Sequence, residues 1–152
     1  MIVLVKLKGE IVKRYKTKKA RTDLELAAAW SVWRLCFPSD DMQSAKHVWL
    51  TWDKEQGCYC AMSSFVFMPE SDAVFFNWVG VLPYVRRQGL HLEHIKRREA
   101  WARKLGAQQV VTYTLNHVTQ SARNLQARGF DSYTPGYKWA GDDANYWQRW
   151  IT

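Results

Sequence analysis

Ile2–Leu7 is an apolar stretch rich in β-branched residues, and Ile11–Tyr15 can pair back on it across Gly9. The chain is therefore expected to open on a basic β-hairpin spanning about residues 1–19. The pattern then changes. Leu26, Trp30 and Trp33 recur at i, i+4 and i+7, which predicts a helix. Thr22 or Asp23 is placed to cap it, Glu25 sits in its first turn, and Pro38 stops it. His47–Asp53 and Cys58–Met68 read as strands around the turn Glu55-Gln56-Gly57. Pro69–Asp72 turns the chain into AVFFNWVGV (Ala73–Val81), a run apolar on both faces and so expected to be a central strand.

A second helix is predicted after Gly89, with Leu92, Ile95, Ala102 and Leu105 as its apolar stripe, broken near Arg98 and Glu99 and ended by Gly106. Gln109–Leu115 reads as a strand, Thr119–Ala127 as a short helix ending at Gly129, and Phe130–Tyr133 and Tyr146–Ile151 as closing strands. Hairpins followed by strand–helix–strand–helix–strand predict an α+β fold in a single domain over 1–152, with a central mixed, mostly antiparallel sheet flanked by helices.

Composition narrows the class. With 152 residues, 47% apolar and 14% aromatic, the chain can bury a core and is not a disordered segment. Nine tryptophans serve either packing or an aromatic-lined surface, and several aromatics crowd the C-terminal tail, about residues 136–152. The net charge of +8 gathers at Lys6, Lys8, Lys13, Arg14, Lys16, Lys18, Lys19 and Arg21, and again around Arg86–Lys104. Such a surface suits polyanions, RNA or a negatively charged cofactor, and equally a solvated basic face. Cys36, Cys58 and Cys60 form no disulfide framework and lack partners at zinc-ligand spacing, so no metal site is expected and a cytoplasmic setting is. The apolar start MIVLV meets Lys6 too soon for a signal peptide, and no segment approaches membrane-spanning length. Monomer and homodimer both remain open.

The chemistry concentrates in Val79–Leu92, VGVLPYVRRQGLHL. A strand feeding a helix through a glycine-containing turn gathers backbone N–H groups at the positive end of the helix dipole, which is a site for phosphate. Arg86 and Arg87 add charge there, and Gly89 permits close approach.

Val81-Leu82-Pro83 followed by Arg86-Arg87-Gln88-Gly89-Leu90-His91 resembles the acetyl-CoA signature of the GNAT family of N-acetyltransferases. Thr112-Tyr113-Thr114, Ser121-x-x-Asn124-Leu125 and Arg128-Gly129-Phe130 resemble the strand, helix and glycine-phenylalanine ending that follow it, so the likeness covers roughly residues 20–135. It implies a GNAT-like domain, acetyl-CoA as cofactor, and transfer of its acetyl group directly to a primary amine of a small molecule, a protein or an aminoacyl-RNA. The N–H groups of Arg87, Gln88, Gly89, Leu90 and His91 would hold the pyrophosphate. The backbone of Trp78, Val79, Gly80 and Val81 would pair with the pantetheine arm, and Arg86, Asn116 and Asn124 are further cofactor candidates. Two places depart from the pattern: His91 stands where the family carries Gly or Ala, and Leu125 where it often carries a proton-donating tyrosine. Tyr133 and Ser121 are the substitute candidates for that acid. Asp40, Asp41, Glu70, Asp72 and His117 are candidate bases, with Asn77 a candidate to orient a water. The alternative is a catalytically inactive module of the same fold that binds nucleic acid or protein.

Overall fold

Residues 4–7, 10–41 and 45–152 are described by a computed structural model, with side chains from Lys13 onward. The first half holds β1 (Leu4–Leu7), β2 (Glu10–Lys13), β3 (Tyr15–Lys19), α1 (Asp23–Cys36), β4 (His47–Asp53) and β5 (Cys58–Met68). The second holds β6 (Ala73–Val81), α2 (Leu90–Lys104), β7 (Gln109–Leu115), α3 (Thr119–Ala127), β8 (Asp131–Tyr133) and β9 (Ala144–Trp150), with short helical turns at Pro69–Ser71 and Pro83–Val85.

β1 and β2 make the expected hairpin, Leu4 opposite Lys13; Ile2, Val3 and the Gly9 turn lie outside the described residues. Its second arm is shorter than expected. Pairing with β1 ends at Lys13, and from Tyr15 the chain pairs with β4 instead, Tyr15 opposite Asp53 and Lys19 opposite Trp49. β3 is thus a strand of its own, at the edge of a seven-stranded sheet ordered β3-β4-β5-β6-β7-β9-β8. Its lysines had hidden the alternation that leaves Thr17 buried between exposed Lys16 and Lys18. Lysines on an edge strand also discourage pairing with another chain, a reason for the basic run that needs no ligand. The sheet is mixed: β6 runs parallel to β7, while β3–β4, β7–β9 and β8–β9 are antiparallel.

The chain packs as two compact units, residues 1–64 with 78–94 and residues 65–77 with 95–152. In the first, α1 starts where Thr22 accepts a hydrogen bond from the Glu25 N–H at 3.1 Å, the expected cap. Its core face is Ala29, Val32 and Trp33 against Val48, Leu50 and Met62, with Leu26 and Trp30 at the flank rather than the centre of the predicted stripe. Small residues let the helix approach the sheet closely. At Gly80 of β6, a Cβ would stand 3.0 Å from the Cys36 sulfur and 3.2 Å from its Cβ, so this glycine makes room for α1. Gly80→Ala is expected to cost about 1–3 kcal/mol by overpacking, and Cys36→Ala to recover part of that loss in chemical denaturation. Equal stability of Gly80→Ala and wild type would show that α1 yields freely. Trp33, fully buried, meets Trp78 edge-on with centroids 5.3 Å apart, so these tryptophans serve packing.

In the second unit β7 pairs along its whole length with β9, from Gln109 opposite Trp150 to Leu115 opposite Ala144, and β8 lies outside β9. The aromatic tail is therefore an interior strand with a folded approach to it. Trp147 is buried and donates from its indole N–H to Thr114 at 2.9 Å, and Trp139 packs edge-on against Phe75, Tyr113 and Tyr146. Among the described residues no helix is long and apolar enough to cross a membrane.

Candidate cofactor-binding site

β6 is paired with β7 at Ala73, Val74 and Phe75 and continues to Val81. The chain then turns through Pro83–Val85 and reaches α2 at Leu90. Two residues of this turn adopt positive φ, Arg87 at 65° and Gly89 at 81°. The value at Gly89 suits glycine. At Arg87 it is a strained state for a side-chain-bearing residue, of the kind retained where surrounding structure imposes it. The Gly89 carbonyl accepts the first helical bond, from the Glu93 N–H at 3.1 Å, so Gly89 stands at the cap of α2.

A Cβ built on Gly89 would meet nothing within 4 Å, so space is open at the start of this helix. The helix supplies N–H groups that have no carbonyl one turn earlier, and exposed Arg86 and Arg87 lie alongside. These features fit a pyrophosphate.

The individual residues sharpen the expected set. Leu90 is buried with Cys60, Ala61 and Val85, so only its backbone can serve a ligand. The Arg86 Nε donates back to the Val81 carbonyl at 3.0 Å and closes the turn onto β6. Its charge also partly offsets the burial that pushes the Cys36 thiol up. Gln88 accepts a short hydrogen bond from the Tyr15 hydroxyl, and His91 is half-buried on the first turn of α2.

Apart from Asp40 and Asp41, the remaining candidates belong to the other unit. Asn116 is exposed beyond β7, its N–H bonded to the Asp143 carbonyl at 2.9 Å. Ser121 and Asn124 are half-buried on α3, where the Asn124 side-chain carbonyl accepts from Gln120 at 3.3 Å. Tyr133 is half-buried on β8, edge-on to Tyr146 at 6.3 Å. Leu125 is in the core, and its carbonyl accepts the Phe130 N–H at 3.0 Å. An apolar side chain thus fills the place where the resemblance expects a tyrosine. Asp40, Asp41, Glu70, Asp72 and His117 are all exposed.

In the first unit, two buried polar networks escaped the sequence. His94 is fully buried one turn into α2, with one ring nitrogen 2.7 Å from the Thr51 hydroxyl and the other 2.6 Å from that of Ser63. Thr51 in turn lies 2.7 Å from Thr17, so hydroxyls of β3, β4 and β5 tie α2 to the sheet. The second network centres on Asp53, also fully buried, which accepts Arg14 in a fork with both bonds at 2.9 Å and the Tyr84 hydroxyl at 2.8 Å. The only sequence signal for it was a carboxylate at the end of an otherwise apolar strand. The Arg14 hydrogen bonds, acting against burial, hold the Asp53 carboxyl down at about 2. A depressed carboxyl stabilises the fold above its unfolded value and loses that contribution as pH falls through the folded one. Stability should therefore drop between about pH 4 and pH 2, by on the order of 2 kcal/mol for this group. Asp53→Asn should flatten that part of the urea-midpoint profile, and an unchanged slope would remove Asp53 from the acid response.

No protein-family model matches the chain, and no curated protein matches it by sequence. Solved structures match its fold. An acetyltransferase of the GNAT family from Staphylococcus aureus superposes with a TM-score of 0.69 at 7% identity, over 91% of this chain and 99% of that one. The fold is that of the GNAT acetyltransferases. A Salmonella typhimurium protein named as an acetyltransferase, solved with its cofactor acetyl-CoA, gives a TM-score of 0.70 at 16% identity over 91% of this chain and 95% of that one. A ribosomal-protein alanine N-acetyltransferase from Escherichia coli gives 0.67 at 16% identity over 90% and 95%. The GNAT fold agrees with the α+β architecture expected from the periodicity, and β6, its turn and α2 stand where the resemblance placed them.

Proposed function

We propose that this chain is an acetyl-CoA-dependent N-acetyltransferase acting on a primary amine. The observation that carries the reading is the turn between β6 and α2, with Arg87 and Gly89 at positive φ and open space over the helix start, on a GNAT fold. Acetyl-CoA would supply an activated acetyl group that passes directly to the amine, releasing the CoA thiol. The N–H groups from Arg87 to His91 and the dipole of α2 hold the pyrophosphate. The β6 backbone from Val79 to Val81, beyond the stretch paired with β7, aligns the pantetheine arm as an added strand. It also offers an N–H to the carbonyl oxygen on which charge develops. With Leu125 in the core, Tyr133 and Ser121 are the candidates to return a proton to the leaving thiolate. Asn116 and Asn124 would add contacts to the cofactor.

The acceptor is read only as an amine, and the exposed lysines of β3 support an aminoacyl-RNA acceptor no more than they support edge protection. Three free cysteines favour a cytoplasmic setting. Titration with acetyl-CoA, followed by a thiol-release assay across small amines, peptides and aminoacyl-tRNA, tests the whole. Micromolar binding with thiol release for one acceptor class is expected. Absence of binding at high micromolar cofactor would reduce the chain to a binding module of the same fold.

A further inference from the structure

The cofactor turn, Leu82 to Gly89, lies outside the strands, yet it holds a strained residue at Arg87. Something must pin it. The Leu82 N–H donates to the Cys60 carbonyl at 2.9 Å and Val85 is buried, which fixes the base of the turn. Two side-chain struts fix its outer part. Tyr84 is 46% exposed, but its hydroxyl donates at 2.8 Å to the fully buried carboxylate of Asp53. That carboxylate cannot move: besides the Arg14 fork it accepts the backbone N–H groups of Glu55 at 3.0 Å and Gln56 at 3.4 Å. Farther along, the Tyr15 hydroxyl donates to the Gln88 side-chain carbonyl. Arg86 and Arg87 lie between the two struts along the chain; one strut is anchored on Asp53, which Arg14 holds, and the other starts from Tyr15, the first residue of β3.

We infer that Tyr84 and Tyr15 are positioning residues for cofactor binding, holding the pyrophosphate turn in its receptive shape by hydroxyl bonds to Asp53 and Gln88. The inference rests on the acetyltransferase reading. Neither hydroxyl takes part in acyl transfer. Each removes conformational freedom from the turn before the ligand arrives, so its loss appears as an ordering cost at the binding step. A bond to a charged acceptor is the stronger kind, so the Tyr84 strut contributes more than the Tyr15 strut.

The test is Tyr84→Phe and Tyr15→Phe, each of which keeps its ring and deletes one hydroxyl, measured with the amine that supports turnover and, by calorimetry, for CoA affinity. Tyr84→Phe should raise the acetyl-CoA KM and CoA Kd about tenfold, and Tyr15→Phe about threefold. For both, kcat at saturating acetyl-CoA and the amine KM should stay within about twofold, and the double variant should show roughly the product of the two effects. Unchanged cofactor constants, or a parallel loss in kcat and in amine KM, would overturn the inference while leaving the acetyltransferase reading in place. Wild-type protein without CoA affinity would overturn that reading, and the inference with it.

Discussion

Gly89→Glu is expected to abolish measurable acetyl-CoA binding while leaving the fold nearly as stable as wild type. The new side chain starts in open space, so no neighbour is displaced. Its backbone cost is that of φ 81° for a residue with a Cβ, about 1–2 kcal/mol. A carboxylate at a helix N-terminus returns about 0.3–1 kcal/mol through the dipole. The net change, at most about 1.7 kcal/mol, should lower the melting temperature by no more than about 3–7 °C. Ligand binding responds very differently. A carboxylate about 4 Å from a phosphate charge costs on the order of 4 kcal/mol near a protein surface, which is close to a thousandfold in affinity. Gly89→Ala separates charge from backbone, because it carries the same φ penalty with no charge. It should weaken binding only several-fold in a calorimetric titration. If Gly89→Glu bound acetyl-CoA as wild type does, the phosphate cradle would lie elsewhere in the molecule.

How far such a site could be read from sequence depended on whether its parts lie together along the chain. The strand–turn–helix at Val79–Leu92 was legible because every contributing backbone group is local, and proline, glycine and apolar runs mark its borders. The roles within it were less so. Gly80 was expected to lend its backbone to the pantetheine arm; its missing side chain also accommodates Cys36 of α1, a contact across 44 positions that no local pattern encodes. Arg86 was expected to bring charge to a phosphate, and its Nε has a further use in closing the turn onto the Val81 carbonyl. The stripe predicted for α2 held at Ile95 and Ala102. The same buried face, however, also includes His94, Arg98 and Glu99, which periodicity counts as polar and therefore exposed. Such residues enter a core only when a distant partner satisfies them. Those partners, Thr51 and Ser63 for His94 and Arg128 and Arg149 for Glu99, are fixed by the fold. The insertion of β9 between β7 and β8 was likewise invisible, since antiparallel order is set by pairing rather than by chain order.

Glu99 carries the largest expected effect on stability. Its carboxylate is fully buried. One oxygen accepts Arg128 at 3.2 and 2.9 Å, the other accepts Arg149 at 2.8 Å, and Arg103 reaches it only at 3.9 Å. One negative charge thus serves two close arginines. It also favours the charged state of its neighbour Arg98, which burial works against and which lies 4.0 Å over the Phe76 ring. Glu99→Gln keeps the shape and one acceptor but removes the charge. Breaking one side of a buried ion pair costs about 3–5 kcal/mol when the partner cannot reach water. Arg128 and Arg149 are 30% and 23% exposed, so part of their solvation is recoverable and the loss should fall at the lower end, about 3 kcal/mol. For a chain of this size that is a fall in melting temperature of about 6–12 °C, with the urea midpoint lowered and the m-value unchanged. Arg103→Ala, which removes a distant, half-exposed partner and a 3.0 Å bond to the Ile151 carbonyl, should cost only about 1 kcal/mol. The contrast between the two variants is the decisive quantity: a Glu99→Gln variant no less stable than Arg103→Ala would mean that the arginines turn fully into solvent, and that the cluster holds β9 and the end of α3 to α2 by packing alone.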